Sequence, residues 1–396
     1  MPKTALIVGG GISGCTAALT LSKLGIKCTV YELRDVPATI GGAVNLTPNA
    51  LRILESLEVE ISGCQCDAIE IFSLATGSKI AELGFKGKSG PAKRVERAVL
   101  QRGLLEAVER VGVGIIYGAK LVEVTELGGK VDVKFESGSS AAADFLVGCD
   151  GIYSAVRMSY VEPERKPIYT GMCTAYAIVQ KAGVTSDIHF QQTAVNSSRF
   201  GALLTSYTDP EKTRIYLGAV METTEQCSRD GWKTRGLDRE MTAKEVQRRY
   251  ATCAFACLPE LIAKAEDWIF YPVCKLGAGG RWSKGRVILL GDAAHGMPPQ
   301  GESTGLAIED PVLLAQVLAH FPDKSLGAIF ESYEKTRRPR IDTAYKEAVF
   351  RWVNVKDKSW LWQKFEEWLT WMYIWYRADF FEKSMAYDIG KERIIE

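Results

Sequence analysis

Several things are scarce in this chain. It has three histidines, His189, His295 and His320, and ten cysteines spread over 396 residues. A structural zinc site takes four Cys or His ligands at short spacing. The close cysteine pairs are Cys64/Cys66 and Cys253/Cys257, so no metal is expected. The cysteine density is far below that of a disulfide-stapled scaffold, and Met1-Pro2-Lys3-Thr4 runs straight into a strand-like segment. Reduced thiols and a cytoplasmic location are expected. Net charge is also nearly absent: 49 Lys+Arg against 48 Asp+Glu leave +1, which gives no global electrostatic case for nucleic acid. No apolar run approaches the roughly 18–20 residues that cross a bilayer. What remains, with 46% hydrophobic and 24% charged residues, is an ordinary globular composition. The length suits two domains or one large interrupted one.

The first thirty-five residues carry the clearest signal. Thr4-Ala5-Leu6-Ile7-Val8 is a continuous apolar run, the pattern of a buried parallel strand. It ends in Gly9-Gly10-Gly11-Ile12-Ser13-Gly14, so Gly9, Gly11 and Gly14 fit G-x-G-x-x-G. Cys15 to Leu24 then reads as a helix and Lys27 to Glu32 as a second strand ending in an acid. The spacing explains the chemistry. Gly9 allows a tight turn, Gly11 a close backbone approach to a pyrophosphate, and Gly14 close packing of helix on strand. The helix N-terminus presents free N–H groups to phosphate. Glu32 stands 18 residues past Gly14, where it can accept hydrogen bonds from a ribose. A dinucleotide site is expected, against the alternative of a Gly-rich turn in some other α/β fold.

Two later segments narrow the choice. Phe145 to Gly148 is strand-like and leads into Cys149-Asp150-Gly151, with Ser154 and Arg157 opening a helix. Gly285 to Leu290 is a second buried strand leading into Gly291-Asp292, then Ala293-Ala294-His295-Gly296-Met297-Pro298-Pro299. With these three motifs in this order, the chain resembles the class A flavoprotein monooxygenases, the group typified by para-hydroxybenzoate hydroxylase. The motifs anchor residues from about 4 to 310, while 158 to 280 matches loosely.

The resemblance implies FAD as the bound cofactor, NADPH or NADH as a transient co-substrate and O2 as the oxygen source, with transfer from a flavin C4a-hydroperoxide. It also implies roles. Glu32 binds the adenosine ribose. Gly42 and Ala43, in the loop before Pro48-Asn49-Ala50, touch the flavin. Arg97, in Arg97-Ala98-Val99-Leu100, stands near the phosphates and ribityl. Asp150 serves FAD and nicotinamide, and Asp292 the ribityl or phosphate region. The loop holding Gly301, Thr304, Gly305 and Leu306 passes the isoalloxazine edge, and Pro298 offers its carbonyl near the reacting oxygen. The chain departs from the family at Glu302-Ser303, where an amide and a glycine are usual. A carboxylate there would repel an anionic reduced flavin unless it points away, is neutral, or is compensated by a helix dipole. Structural alternatives stand beside these roles. Asp150 and Asp292 could cap helices, Arg97 could be a surface arginine, and His295 reads as a turn residue rather than a base.

The expected fold is α/β, partly α+β: an interrupted Rossmann-like FAD-binding domain at 1–70, 95–157 and 282–350, a mainly antiparallel substrate-binding sheet at 71–94 and 158–281, and a Trp-rich helical segment at 351–396. Six of nine tryptophans lie in that last segment, joined by Tyr373, Tyr376, Phe380 and Phe381. It reads as a cover for the FAD domain or a homodimer face, or as a peripheral membrane anchor. The implied activity is hydroxylation or epoxidation of an aromatic, polyketide or terpenoid-like small molecule, in keeping with a biosynthetic tailoring enzyme. Tyr176 and Arg281 join Pro298 as candidates at the reacting centre. A second G-x-G-x-x-G is missing, which suits a nicotinamide that binds transiently. The W-x-W-x-I-P signature of flavin halogenases is missing too. The alternatives are a flavin reductase without oxygen transfer and a non-catalytic flavin-binding partner protein.

Overall fold

The computed structural model describes residues 1–37, 41–85, 90–223, 228–299, 301–353 and 356–396, with the side chains of 229, 353 and 378–381 outside that set. Expectations about Phe380 and Phe381 therefore fall outside the described residues, as do residues 86–89 of the 71–94 segment.

Two large sheets position the site. The first runs Ser283–Lys284, Val287–Leu289, Phe145–Gly148, Thr4–Val8, Lys27–Tyr31, Gly114–Ile116. Its strands pair in parallel except at the short Ser283–Lys284 edge. Burial on both faces is why its central strands read as unbroken apolar runs. Helix Ile12–Lys23 packs against Ser303–His320 and Arg97–Arg110, so Ile12 to Leu21 are all buried rather than one stripe of them. Leu121–Leu127 and Lys130–Phe135 form a hairpin around Gly128-Gly129. Phe135 stacks on Tyr31 at 4.5 Å and ties it to the first sheet.

The second sheet runs Ile269–Lys275, Ile168–Gln180, Arg214–Glu222, Gly201–Tyr207, Thr193–Ser198, Ala68–Ser73, Lys79–Gly84. The pairing is antiparallel except between Thr193–Ser198 and Ala68–Ser73. Ala68–Ser73 straddles the boundary expected at 70 and pairs wholly within this sheet. Cys173, Ala175, Ala177 and Val179 face a core completed by helices Arg239–Tyr250 and Cys257–Ala263. The alternate residues Thr174, Tyr176 and Ile178 stay half-buried on the opposite face, as the two-residue period of a strand requires. Thr193–Ser198 gave no strand signal because T-A-V-N-S-S holds only two apolar residues. Helices Arg239–Tyr250 and Cys257–Ala263 are separated by a break between Tyr250 and Cys257.

A small sheet bridges the two. Ala43–Leu46, Ala92–Glu96 and Cys64–Cys66 pair antiparallel, with Asn45 opposite Arg94. From its end Glu96 reaches Arg214 at 3.0 Å and Thr208 at 3.1 Å.

Helix Ser303–His320 contains Pro311 in its interior. Thr304, Gly305 and Leu306, expected in a loop, lie in its first helical turn. The tail forms helix Trp360–Ala386. It packs along strand Lys79–Gly84, with Ser73 donating to Glu367 at 2.6 Å and Arg377 to Glu347 at 3.1 Å. Trp360, Trp362, Trp368, Trp371 and Trp375 remain exposed. Among the described residues no helix is long and apolar enough to cross a membrane.

Candidate active site

The glycine fingerprint is crowded at its ends and open in its middle. Gly9 has φ +105°, and a Cβ there would sit 2.4 Å from the Cys149 carbonyl oxygen. A Cβ on Gly14 would sit 1.8 Å from the Gly9 carbonyl. No heavy atom lies within 4 Å of a Cβ built on Gly11, so a phosphate has room to reach that backbone. Glu32 is fixed beside it, accepting from the Gly10 N–H at 2.7 Å and the Arg34 N–H at 3.0 Å.

The D-G and G-D segments are stapled together. The buried Arg157 donates to the carbonyls of Arg165 at 3.0 Å and Ala293 at 2.8 Å. Asp150 accepts from the Val156 N–H at 3.1 Å, so it does cap the turn after its strand. Burial pushes its carboxyl upward, and hydrogen bonds from Ser154 and the Val156 amide offset only part of that. Asp292 opens the short helix Asp292–His295. Its carboxylate keeps accessible surface although protein surrounds it. Burial again raises it, with His295 and Arg97 pulling the other way. Pro298 is buried just beyond, between that short helix and Gly301, whose φ is +91°.

Helix Ser303–His320 aims its N-terminus at this place. A Cβ on Gly305 would lie 3.3 Å from the Thr47 hydroxyl, so this turn crosses closely over the start of helix Pro48–Ser56. The Thr47 hydroxyl and the Asn49 amide oxygen are buried with no hydrogen-bond partner. The departure at Glu302 is resolved by its partner: its carboxylate accepts from Ser384 of the C-terminal helix at 2.8 Å.

Behind the turn lies a buried ion network. Asp310 accepts from the Gly291 N–H at 2.7 Å, from His295 Nε2 at 2.7 Å and from Arg337 at 2.7 Å. Glu309 takes Arg337 at 2.8 Å, Arg340 at 2.8 Å and the Asn49 amide at 2.5 Å. Burial alone would raise both carboxyls. The charges of His295 and Arg337 on Asp310, and of Arg337 and Arg340 on Glu309, instead hold them below the usual carboxylate range. His295 is thus a structural link between the two segments.

Opposite stands the open face of the second sheet. Tyr176 and Tyr216 face each other with centroids 6.3 Å apart. A Cβ on Gly42, at φ +101°, would lie 3.3 Å from the Tyr176 ring, so Gly42 and Tyr176 meet at the seam between the sheets. The Gly42 carbonyl accepts from the Arg97 N–H at 2.9 Å. The exposed Arg97 side chain acts electrostatically on Tyr176, Tyr271 and Asp292. Burial pushes the Tyr271 phenol up to about 12.

Most of the expected residues therefore converge, and Arg281 does not. It is exposed, and its N–H donates to Glu162 at 2.9 Å. The reason is the chain path: Leu276 already hydrogen-bonds Gly296 at 2.8 Å, so the turn holding Arg281 belongs to the edge of the first sheet. Sequence reasoning missed Arg337, Arg340, Tyr216, Tyr271 and Arg94. Arg337-Arg338-Pro339-Arg340 reads as a solvated face. Strand alternation sets Tyr216 on the face opposite Ile215 and Leu217, but does not bring it to Tyr176.

A family model described as FAD binding domain matches residues 3–348. The 3-amino-4-hydroxybenzoate 2-monooxygenase of Streptomyces platensis is 30% identical over 357 residues, covering 86% of each chain. The chain belongs to the class A FAD-dependent monooxygenases. The 3-hydroxybenzoate 6-hydroxylase of Klebsiella oxytoca is 26% identical over 347 residues, covering 85% of this monooxygenase and 84% of the relative. In fold, Klebsiella pneumoniae HpxO complexed with FAD and uric acid superposes with a TM-score of 0.80 at 22% identity, covering 98% and 97% of the two chains. The 2,6-dihydroxypyridine-3-hydroxylase of Arthrobacter nicotinovorans gives 0.75 at 20% identity, covering 90% and 93%. The residues present fit FAD: an open Gly11, a fixed Glu32, a helix N-terminus, and the unpartnered polar atoms of Thr47 and Asn49.

Proposed function

We propose that this monooxygenase hydroxylates a small aromatic ring, with NADH or NADPH as electron donor. The observation that carries the reading is the wall of Tyr176, Tyr216 and Tyr271 on the second sheet, set against Gly42 at the seam. Two relatives are named for hydroxybenzoates, which favours an aromatic ring over a polyketide or terpenoid.

The bound flavin supplies what side chains lack, acceptance of electrons from the nicotinamide and activation of O2 so that one oxygen atom reaches the substrate. The chain's residues hold and shield. Glu32 takes the adenosine ribose hydroxyls, and Gly11 admits the pyrophosphate. The first turn of helix Ser303–His320 sets its positive end toward charge that builds on the reduced ring. Because Glu302 is engaged by Ser384, its carboxylate is directed to the tail helix and leaves that end unopposed. Gly42 and Ala43 flank the ring, and Arg97 serves the ribityl side with Asp292. Asp150 shapes the neighbouring turn. Pro298 sits where its carbonyl can orient a substrate hydroxyl. Tyr176 and Tyr216 seat the aromatic ring and exclude water from the reacting oxygen.

The test is oxygen uptake by the FAD-loaded protein with NADPH, then NADH, across a panel of hydroxylated aromatics, with H2O2 measured alongside. A ligand that speeds uptake without matching peroxide release bears the reading out. Nicotinamide oxidation that proceeds without oxygen would replace it with the reductase alternative.

A further inference from the structure

Arg94 is a buried charge that nothing above employs. It sits mid-strand in Ala92–Glu96, opposite Asn45 on one side and Cys64 on the other, and is 7% exposed. A guanidinium in such a place normally lies against a carboxylate or several carbonyls, because an unpaired buried charge is costly. Arg94 has neither among the described residues: its Nε is buried without a hydrogen-bond partner. The acid two residues on, Glu96, is committed to Arg214 and Thr208. The groups that act on the Arg94 charge are the Tyr216 phenol and the Cys66 thiol, and burial raises both of these above their ordinary values. Both are therefore neutral at physiological pH.

What Arg94 does touch is the aromatic wall. Its guanidinium lies 5.5 Å from the centre of the Tyr216 ring. Tyr216 faces Tyr176 at 6.3 Å, and Tyr176 covers Gly42. The cation thus stands at one end of the wall, while Arg97 and Asp292 stand by Tyr271 at the other. We propose that Arg94 is the anion-binding residue of the substrate pocket, taking the carboxylate of an aromatic acid whose ring lies along Tyr216 and Tyr176. The proposal rests on the aromatic-ring reading of this site and narrows it to an anion. The planar fork of arginine matches a carboxylate with two parallel hydrogen bonds, and contact with the Tyr216 ring holds the fork in one orientation. The substrate supplies the counter-charge that no described residue offers. A site built this way rejects a neutral isostere strongly, because the isostere leaves the buried charge unpaired.

The experiment compares 3-hydroxybenzoate and 3-amino-4-hydroxybenzoate with their primary amides as ligands of the FAD-loaded protein. Binding is read from perturbation of the flavin absorption bands, with the flavin midpoint potential recorded beside it. The parent should hold at least one acid about tenfold or more tighter than its amide. Arg94→Met and Arg94→Gln should abolish that preference, leaving amide affinity and midpoint potential in place, and Arg94→Lys should restore part of it. The proposal is overturned if neither acid binds the parent at millimolar concentration, if acids and amides weaken together, or if the preference survives in Arg94→Met. A shift of potential with the preference intact would assign Arg94 to the flavin and also overturn it. Failure of the broader reading looks different: acid preference with no oxygen consumption removes the oxygenation and leaves the anion site standing.

Discussion

Arg337 and Arg94 are both withdrawn from solvent, at 1% and 7% exposure, and the protein treats them in opposite ways. Arg337 meets Asp310, Glu309 and the Leu306 carbonyl within 3.0 Å. Arg94 meets an aromatic ring and two neutral groups. Around Arg337 every charge finds a counter-charge inside the chain, and the result is mechanical. It locks helix Leu326–Val353 to the first turn of helix Ser303–His320. Around Arg94 no described residue offers a counter-charge on the face where a small molecule would lie. The same side chain at similar burial thus marks scaffold in one region and recognition in the other, and the partner list separates them.

The largest effect should come from breaking the satisfied side. Arg337→Ala takes one cation from both buried carboxylates, leaving Glu309 to Arg340 and Asp310 to His295, and should cost about 3–5 kcal/mol of stability, read as a lower urea midpoint of the FAD-loaded protein. A loss below about 1 kcal/mol would mean the network is relaxed by water and is not a lock.

Acid should attack the same network. Asp310 and Glu309 have carboxyls held below their ordinary values, while their unfolded forms titrate near pH 4. The stability they contribute is complete above about pH 4 and drains away as pH falls below it, at up to about 1.4 kcal/mol per pH unit for each proton taken up. Asp310→Asn removes one share, so its stability curve should be flatter than the parent's below about pH 4. Asp150 and Asp292, raised by burial, work in the opposite direction but are common to both proteins. Parallel slopes would show that acid unfolds the molecule elsewhere.

A smaller loss is expected at the junction of tail and turn. Ser384→Ala deletes one hydrogen bond to Glu302 and should cost about 1 kcal/mol, seen as a small drop in Tm. An unchanged Tm would show that the tail does not hold Glu302. The smallest effect belongs to the unsatisfied side. Arg94→Met removes a charge that has no partner to strand, so the urea midpoint should stay put or rise. A fall comparable to that of Arg337→Ala would erase the contrast between the two arginines.

Much of the flavin-binding half was legible because its demands are local. Gly14 is required by the Gly9 carbonyl five residues back, Gly9 by its positive φ as well as by the distant Cys149 carbonyl, and Glu32 by the end of the next strand, so residue type at fixed spacing reveals them although one of the contacts is long-range. The Asp150 and Asp292 segments were legible for the same reason. Arg281 misled because only the hydrogen bond of Leu276 to Gly296 shows that the chain has already left the second sheet.

By itself, then, the sequence determined the cofactor half of this monooxygenase: the strand–glycine–helix unit, the acid after the second strand and the two aspartate turns. It also placed five of the nine tryptophans on a C-terminal helix. Only the tertiary structure decided which charges meet. Arg337 and Arg340 find Glu309 and Asp310 across 27 to 31 residues of chain, and Arg94 finds Tyr216 across two sheets. The physical reason is range. Turn geometry and capping act over a few residues and leave a pattern in the sequence, whereas burial and charge pairing depend on which surfaces pack together. A guanidinium reads the same in sequence whether its partner is a carboxylate in the core or a substrate yet to bind.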